Sequence, residues 1–462
     1  MHWLSAVIFC TFIVGQSQTK PATPDFKLIP RKLDVAENAT IVLLGDSITH
    51  QCLYTQYFED YIYTRYPKFK MRIHNAGIGG DRCSDALVRF DEDVAKYKPK
   101  YVSILLGMND GSYRAYDQKV FETYQRDMTK LIEKIQSIGA TPILMTPTMY
   151  DHRAAQIKNG AGNLYYNGTL AYFGAFLRET AQANGFRFVD MYGPLNTITL
   201  AQRRSNAKFT LIQDAVHPEG AGQAVMAAAM VDDIFGASPL SEIAITLTGQ
   251  GPQPASKTTG GTLADLSHSA GKSVAFSFQA DSLPWVLPSE GQVGIRLGGQ
   301  PNRYNRGMLK ISGLQPGAYE ILIDGVSLST HSAGEFANGV NVYANGKHPD
   351  YKPATAVAEL NRNRNTQAVN PMRNFWIGPK MLRGLEAKVK ANKANEQEQK
   401  RFASLTEQMK TFDKTAVEYA DRCRNLELQI YQQAQPKSHK FEIVRVVAKP
   451  LPVQPELKKQ AN

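Results

Sequence analysis

The sequence predicts an α/β fold, a parallel sheet with helices on both faces in three layers, extended by a small β-rich accessory unit and a C-terminal helical segment. Three observations predict it. Short continuous apolar runs alternate with helix-spaced stretches through the first half of the chain. Near residue 237 the pattern changes to period-two alternation broken by turn signals, and from Phe402 to Ile430 an apolar seam at spacings of three and four runs along a charged, glutamine-rich stretch. At 462 residues the chain exceeds one ordinary α/β domain. The boundaries read as 1–17 for a signal peptide, 37–236 for the α/β domain, 237–345 for the β-rich unit, 360–435 for a helical hairpin or coiled-coil segment and 436–462 for a C-terminal tail.

The first strand is Ile41 to Gly45, whose unbroken apolar run suits a parallel strand covered on both faces. It leads into Gly45-Asp46-Ser47 at the start of a helix, where unpaired N–H groups and the helix dipole favour developing negative charge. A second strand, Met71 to Asn75, leads into Gly77-Ile-Gly-Gly80-Asp81, whose glycines let backbone approach a ligand. A third, Tyr101 to Gly107, delivers Asn109, whose amide can donate a hydrogen bond. Strands at Pro142 to Thr146 and Phe186 to Asp190 and helices at Asp117 to Ile138 and Ala221 to Ile234 complete the alternation. Ligands in such open sheets bind at the carboxyl ends of the strands. No G-x-G-x-x-G spacing opens the first βα turn, so a dinucleotide-binding reading fails.

Far along the chain stands Asp214-Ala-Val-His217. An Asp three residues before a His can place a carboxylate beside Nδ1 and leave Nε2 free to take a proton from a serine, which is a poor nucleophile until that proton is removed. The N–H groups of Ser47 and Gly80 with the Asn109 amide would then make an oxyanion hole.

Taken in order, Gly45-Asp46-Ser47, Gly79-Gly80-Asp81, Gly107-Met108-Asn109-Asp110 and Asp214-Ala-Val-His217 resemble the four blocks of the SGNH (GDSL-type) hydrolase superfamily, over roughly the first half of the chain. Ile48 follows Ser47 where the family's four-letter name has leucine. The resemblance implies a flavodoxin-like SGNH hydrolase fold, Ser47 as nucleophile, His217 as general base and acid, Asp214 as its orienter, and Ser47, Gly80 and Asn109 as oxyanion donors. It implies a carboxylic ester hydrolase needing no metal or organic cofactor. O-acetylated carbohydrate is the favoured substrate, with lysophospholipids or short-chain acyl esters as alternatives, transfer of the acyl group to a sugar as another outcome, and a catalytically silent extracellular binding or scaffold protein as the competing class.

Residues 2–14 form an apolar stretch followed by Gly15-Gln16-Ser17, which reads as a signal peptide and so as a secreted or periplasmic protein. Of the four cysteines, Cys52, Cys83 and Cys423 would remain. Cys52 and Cys83 can approach the same sheet edge and pair in an oxidising compartment, and buried free thiols are the alternative. No Cys/His pattern has metal-site spacing.

Gly249 to Gly261 reads as a linker or long loop, and Ser273 to Phe278, Met308 to Leu314 and Ala318 to Ile323 read as strands, the last before an Asp324-Gly325 turn. Trp285, Tyr304 or Tyr319 there would form a sugar platform or lie in the core. The C-terminal seam is Phe402, Leu405, Met409, Phe412, Ala416, Tyr419, Cys423, Leu426 and Ile430. Met381, Leu382, Leu385 and Val389 can cover it within the chain, as the favoured arrangement, or a second subunit can. Most of the formal charge of +11 lies after Pro349, which suits an anionic polysaccharide or surface or simply a solvated face, and no nucleic-acid motif is present. Walls of the cleft are expected from Arg114 and from residues 150–162.

Overall fold

The structure, a computed structural model, describes residue 29 and residues 33–446 apart from 155–162, 237, 248–253, 270–271 and 300–301. The expected signal peptide and much of the 150–162 wall lie outside the described residues.

Five parallel strands, β1 (Thr40–Gly45), β2 (Arg72–Gly77), β3 (Tyr101–Leu105), β4 (Thr141–Met145) and β5 (Arg187–Val189), lie in the order β2-β1-β3-β4-β5. The order reverses direction between β1 and β3, so a crevice opens where those strands end. Along β1, Ile41 and Leu43 pack into one core while Val42 and Leu44 pack into another on the opposite face. Burial on both faces is why that run reads as continuous apolar sequence.

Helices of this domain are α1 (Ser47–His50), α2 (Leu53–Arg65), α3 (Cys83–Asp93), α4 (Gln118–Ser137), α5 (Tyr166–Asn184), α6 (Tyr192–Gln202) and α7 (Gly220–Ile234). The α1 segment is a single turn, broken at Cys52 with φ +60°, so no long-helix dipole acts at Ser47 as the sequence suggested; only individual N–H groups do.

The β-rich region is two sheets around one core. One is β13 (Val340–Asn341), β10 (Gly307–Ser312), β6 (Ser241–Thr246) and β7 (Ala255–Thr259). Part of the expected linker is therefore strand β7. The other is β12 (Val326–Ser332), β11 (Ala318–Ile323), β14 (Ser438–Arg445), β9 (Ser273–Ala280) and β8 (Gly261–Ser269). Strand β14 corrects the expected tail: it pairs antiparallel with both β9 and β11, and Phe441 and Ile443 enter the core. Its alternation His439, Phe441, Ile443 is short, and its partners lie more than a hundred residues earlier. Helix α8 (Ser289–Leu297) packs against α7, and α9 (Ala333–Asn338) follows β12. Trp285, Tyr304 and Tyr319 are at most 7 % exposed and form core contacts, so none offers a sugar platform. The Trp285 indole N–H donates to Tyr57 O (2.9 Å) and its ring meets those of Tyr61 and Tyr304 edge-on.

From Tyr351 the chain turns helical, nine positions before the expected start. Helix α10 (Tyr351–Arg364) runs through a π-turn (Asn365–Val369) into α11 (Asn370–Lys390), and α12 (Glu396–Met409) and α13 (Phe412–Gln433) return. Helix α12 lies against α11, and α13 against α10 and the π-turn. Every seam residue from Phe402 to Ile430 is buried or half-buried, and Phe412 stacks on Phe375 at 4.9 Å.

This hairpin covers the open edge of the parallel sheet. Among the described residues strand β2 has no strand neighbour on its outer side, and side chains from the hairpin meet its backbone: Arg364 Nη2 donates to Ile73 O (3.0 Å), Ile73 N to Glu427 Oε1 (3.4 Å) and Tyr431 OH to Met71 O (2.6 Å). Cys52, Cys83 and Cys423 are free and buried; burial pushes the Cys52 thiol up to about 12. Among the described residues no helix is long and apolar enough to cross a membrane.

Candidate active site

The turn after β1 is dictated by Gly45. A Cβ there would sit 2.1 Å from Thr49 Oγ1 and 2.9 Å from Leu105 O, so only glycine lets α1 fold back against β3. Asp46 caps α1, its Oδ1 accepting the Ile48 N–H at 2.9 Å. Its carboxyl is buried, and burial, aided by the charges of Asp110 and Asp81, pushes its pKa up to about 7 against the opposing cap hydrogen bond.

Ser47 Oγ lies 2.8 Å from His217 Nε2, and His217 Nδ1 lies 2.7 Å from Asp214 Oδ2. The other Asp214 oxygen accepts the N–H groups of Val216 (2.9 Å) and His217 (2.7 Å), which folds 214–217 into a tight turn with Ala215 at φ +78°. Partial burial pushes the Asp214 carboxyl up, but the hydrogen bonds from the His217 N–H, its imidazole and the Val216 N–H outweigh this and hold it below the usual carboxylate value. An ionised carboxylate only accepts, so Nδ1 carries the imidazole proton and Nε2 is free to accept the Ser47 hydroxyl proton.

Two supports of this pair were not legible in the sequence. Asp151 N donates to Ala215 O (3.0 Å), while the Asp151 carboxylate accepts both Arg203 Nη2 (2.7 and 3.0 Å) and Thr210 Oγ1 (2.5 Å). Gln223, buried in α7, donates to Pro218 O (3.0 Å) and Gln51 Oε1 (2.7 Å) and accepts Tyr54 N (3.0 Å), tying the histidine turn to the helices after Ser47.

The loop after β2 carries Gly80 at φ +71°, a conformation glycine adopts without strain. Among the described residues, the N–H groups of Ser47 and Gly80 donate to no protein acceptor. Asn109 Nδ2 donates to Asp81 O (3.0 Å) and lies 3.4 Å from Asp46 Oδ2, and Asn109 Oδ1 accepts the Tyr113 hydroxyl (3.0 Å). Ser112 and Tyr113 both have positive φ, +55° and +52°. This strained turn holds a partly exposed tyrosine over Asn109. The structure therefore brings Ser47, Asp214 and His217 into one hydrogen-bonded line, with Asn109 and the Gly80 loop alongside. Such a line can deprotonate a serine hydroxyl for attack on an acyl carbon. Among the described residues no group of three or more His, Cys, Asp or Glu side chains is placed to hold a metal ion.

A family model described as GDSL-like lipase/acylhydrolase matches residues 41–230. An acetylxylan esterase of Geobacillus stearothermophilus is 27 % identical over 188 residues, which span 39 % of this chain and 80 % of that protein. An uncharacterized lipoprotein of Bacillus subtilis (strain 168) is 32 % identical over 125 residues, 23 % of this chain and 47 % of that protein. The solved structure of a gut microbial diltiazem-metabolizing enzyme superposes with a TM-score of 0.71 at 23 % identity, over 91 % of this chain and 100 % of that one, so the likeness in fold extends to the β-rich and helical additions. The segment from residue 41 to residue 230 is accordingly a GDSL-like acylhydrolase domain of the SGNH superfamily, and the protein is a hydrolase of ester bonds.

Proposed function

We propose that the protein is a secreted or periplasmic serine esterase that removes acetyl groups from O-acetylated carbohydrate. The observation that carries the mechanism is the hydrogen-bonded line from Asp214 through His217 to Ser47. Ser47 Oγ attacks the ester carbonyl carbon as its proton passes to His217 Nε2, and Asp214 stabilises the imidazolium. The oxyanion is met by the N–H groups of Ser47 and Gly80 and by the Asn109 amide, which keeps its hydrogen bond to Asp81 O and turns to the oxyanion the hydrogen that points at Asp46 Oδ2 at 3.4 Å. His217 returns the proton to the leaving alcohol. Water deprotonated by the same imidazole then releases acetate and restores Ser47.

The substrate reading rests on the acetylxylan esterase relative, matched over most of its own length. It is supported by the exposed ring of Tyr113, whose hydroxyl donates to Asn109 Oδ1, an amphipathic surface of the kind sugar rings lie against. The export reading rests on residues 1–17.

The test is acetate release from acetylated xylan and acetylated pectin, beside hydrolysis of p-nitrophenyl acetate, with Ser47→Ala as control. Release from glycan by the wild type and none by Ser47→Ala is expected. Hydrolysis of the small ester alone would keep the serine mechanism and remove the glycan assignment. Asn109→Ala is expected to lower kcat by roughly 100- to 1000-fold with little change in KM.

A further inference from the structure

The loop that carries Gly80 is gripped by a helix three hundred residues downstream. Lys380, on α11, donates from Nζ to Gly79 O (3.1 Å) and to Asp81 Oδ1 (2.8 Å), with Asp85 Oδ2 at 3.8 Å. Its ammonium group lies 3.6 Å from where a Cβ on Gly80 would stand. Six residues earlier on the same helix, Asn374 Oδ1 lies 3.0 Å from His50 Nε2, and His50 Nδ1 accepts the Gly79 N–H at 3.3 Å. Since Nδ1 accepts, Nε2 carries the proton and donates to Asn374. Helix α11 thus holds the peptide groups on both sides of Gly79, directly through Lys380 and by way of His50 through Asn374.

The geometry of the peptide unit gives this grip a consequence. The Gly79–Gly80 peptide is trans, so its C=O and N–H point in opposite directions within one rigid plane. Fixing the carbonyl of Gly79 therefore fixes the direction of the Gly80 N–H. A peptide between two glycines has few steric barriers to rotating as a unit, and a reversed plane would present an oxygen where the oxyanion forms. A cation on the carbonyl also polarises the N–H on the far side of the plane. The Asp81 carbonyl, one residue on, accepts the Asn109 amide, so the same loop orients a second donor.

We propose that Lys380 is a positioning residue of the oxyanion hole: by holding Gly79 O and the Asp81 carboxylate it locks the Gly79–Gly80 peptide with the Gly80 N–H turned toward Ser47. The C-terminal hairpin is then a working part of the active site. This inference rests on the serine-esterase reading given above.

The experiment compares wild type, Lys380→Met, Lys380→Arg and Ser47→Ala on p-nitrophenyl acetate. Rates are taken per active site, counted by the burst of p-nitrophenol or by fluorophosphonate labelling. It adds the inactivation rate with diethyl 4-nitrophenyl phosphate, whose phosphoryl oxygen takes the oxyanion's place. Lys380→Met should lower kcat about tenfold or more with KM within about twofold. Inactivation should slow by a similar factor, and Lys380→Arg, which keeps charge and donors, should regain much of the loss. Lys380→Gln, too short to reach Gly79 O, replaces the methionine variant if that one does not fold. A per-site kcat and inactivation rate equal to wild type in Lys380→Met would overturn the proposal, as would a rise in KM alone, which would make Lys380 a substrate contact. Turnover persisting in Ser47→Ala would instead overturn the underlying reading.

Discussion

Asp46 shows how much of this site depends on groups that do not meet the substrate. It sits between Gly45, which cannot bear a side chain, and Ser47, and it caps α1 while its second oxygen faces Asn109. Burial raises its pKa to about 7, so between the unfolded value near 4 and the folded value near 7 the folded state holds a proton that the unfolded state has lost. Stability from this residue therefore falls as pH rises through that window. Asp46→Asn keeps an accepting oxygen for Ile48 N and has no charge to bury. Its Tm relative to wild type is expected to climb as pH goes from 4 to 7 and to level off above, read from thermal melts across that range. Ser47, Gly80, Asn109, Asp214 and His217 could be picked out in the sequence because each stands in a short block, the first three just after a strand and the last two in the turn before α7. Arg203, Gln223 and Lys380 could not, because a hydrogen bond to a partner far along the chain leaves no local pattern.

Among the elements, α2 explains why parts of the fold were illegible. Its sequence, LYTQYFEDYIYTR, has no apolar stripe, yet nearly every residue is buried. It is covered on several sides: Trp285 donates to Tyr57 O, Leu283 N donates to Thr64 O, and Asn361 of α10 donates to Asp60 Oδ1 at 2.8 Å. Arg364 pairs with Glu59 at 3.1 Å. Polar residues are buried because their partners come from the additions, a pattern no periodicity can show. Helix α3 is bound to α11 in the same way. Asp93 is fully buried and takes both Arg373 Nη groups (2.8 and 3.0 Å), Arg89 Nη1 (2.6 Å) and His74 Nε2 (3.0 Å). Burial alone would raise its carboxyl, and the charge of Arg373, with His74 and Arg89, reverses that and holds it well below the carboxylate range. A depressed carboxylate contributes stability above its unfolded value near 4, and that stability is lost as pH falls further. Asp93→Asn leaves two buried guanidinium groups short of an anion and should cost about 3–5 kcal/mol in urea unfolding at pH 7. The gap should narrow below pH 4.

Strand β14, the last among the described residues, closes the β-rich unit. The chain builds the sheet domain, then the β-rich unit, then the hairpin, and finally returns as β14 to fill the place between β9 and β11. The hairpin is thereby tethered at both ends to the β-rich unit while its flank grips α2, α3 and β2. Truncation after Gln435 removes the central strand of that sheet and the Phe441 and Ile443 contacts. It should strip amide-exchange protection from residues 273–280 and 318–323 first, measured by hydrogen exchange, and leave β1 and β3 protected. The parallel domain was legible because each strand repeats the same local pattern. The closure by β14 was not, since a strand of eight residues shows its role only when its two distant partners are known.

The central claim is that Ser47 carries the acyl group, and the most direct measurement is acid-quenched mass spectrometry of the protein mixed with p-nitrophenyl acetate. The account predicts a single acetyl adduct on the peptide containing Ser47, formed within the burst and absent from Ser47→Ala, which should also have lost turnover. An adduct elsewhere, or undiminished hydrolysis by Ser47→Ala, would contradict it.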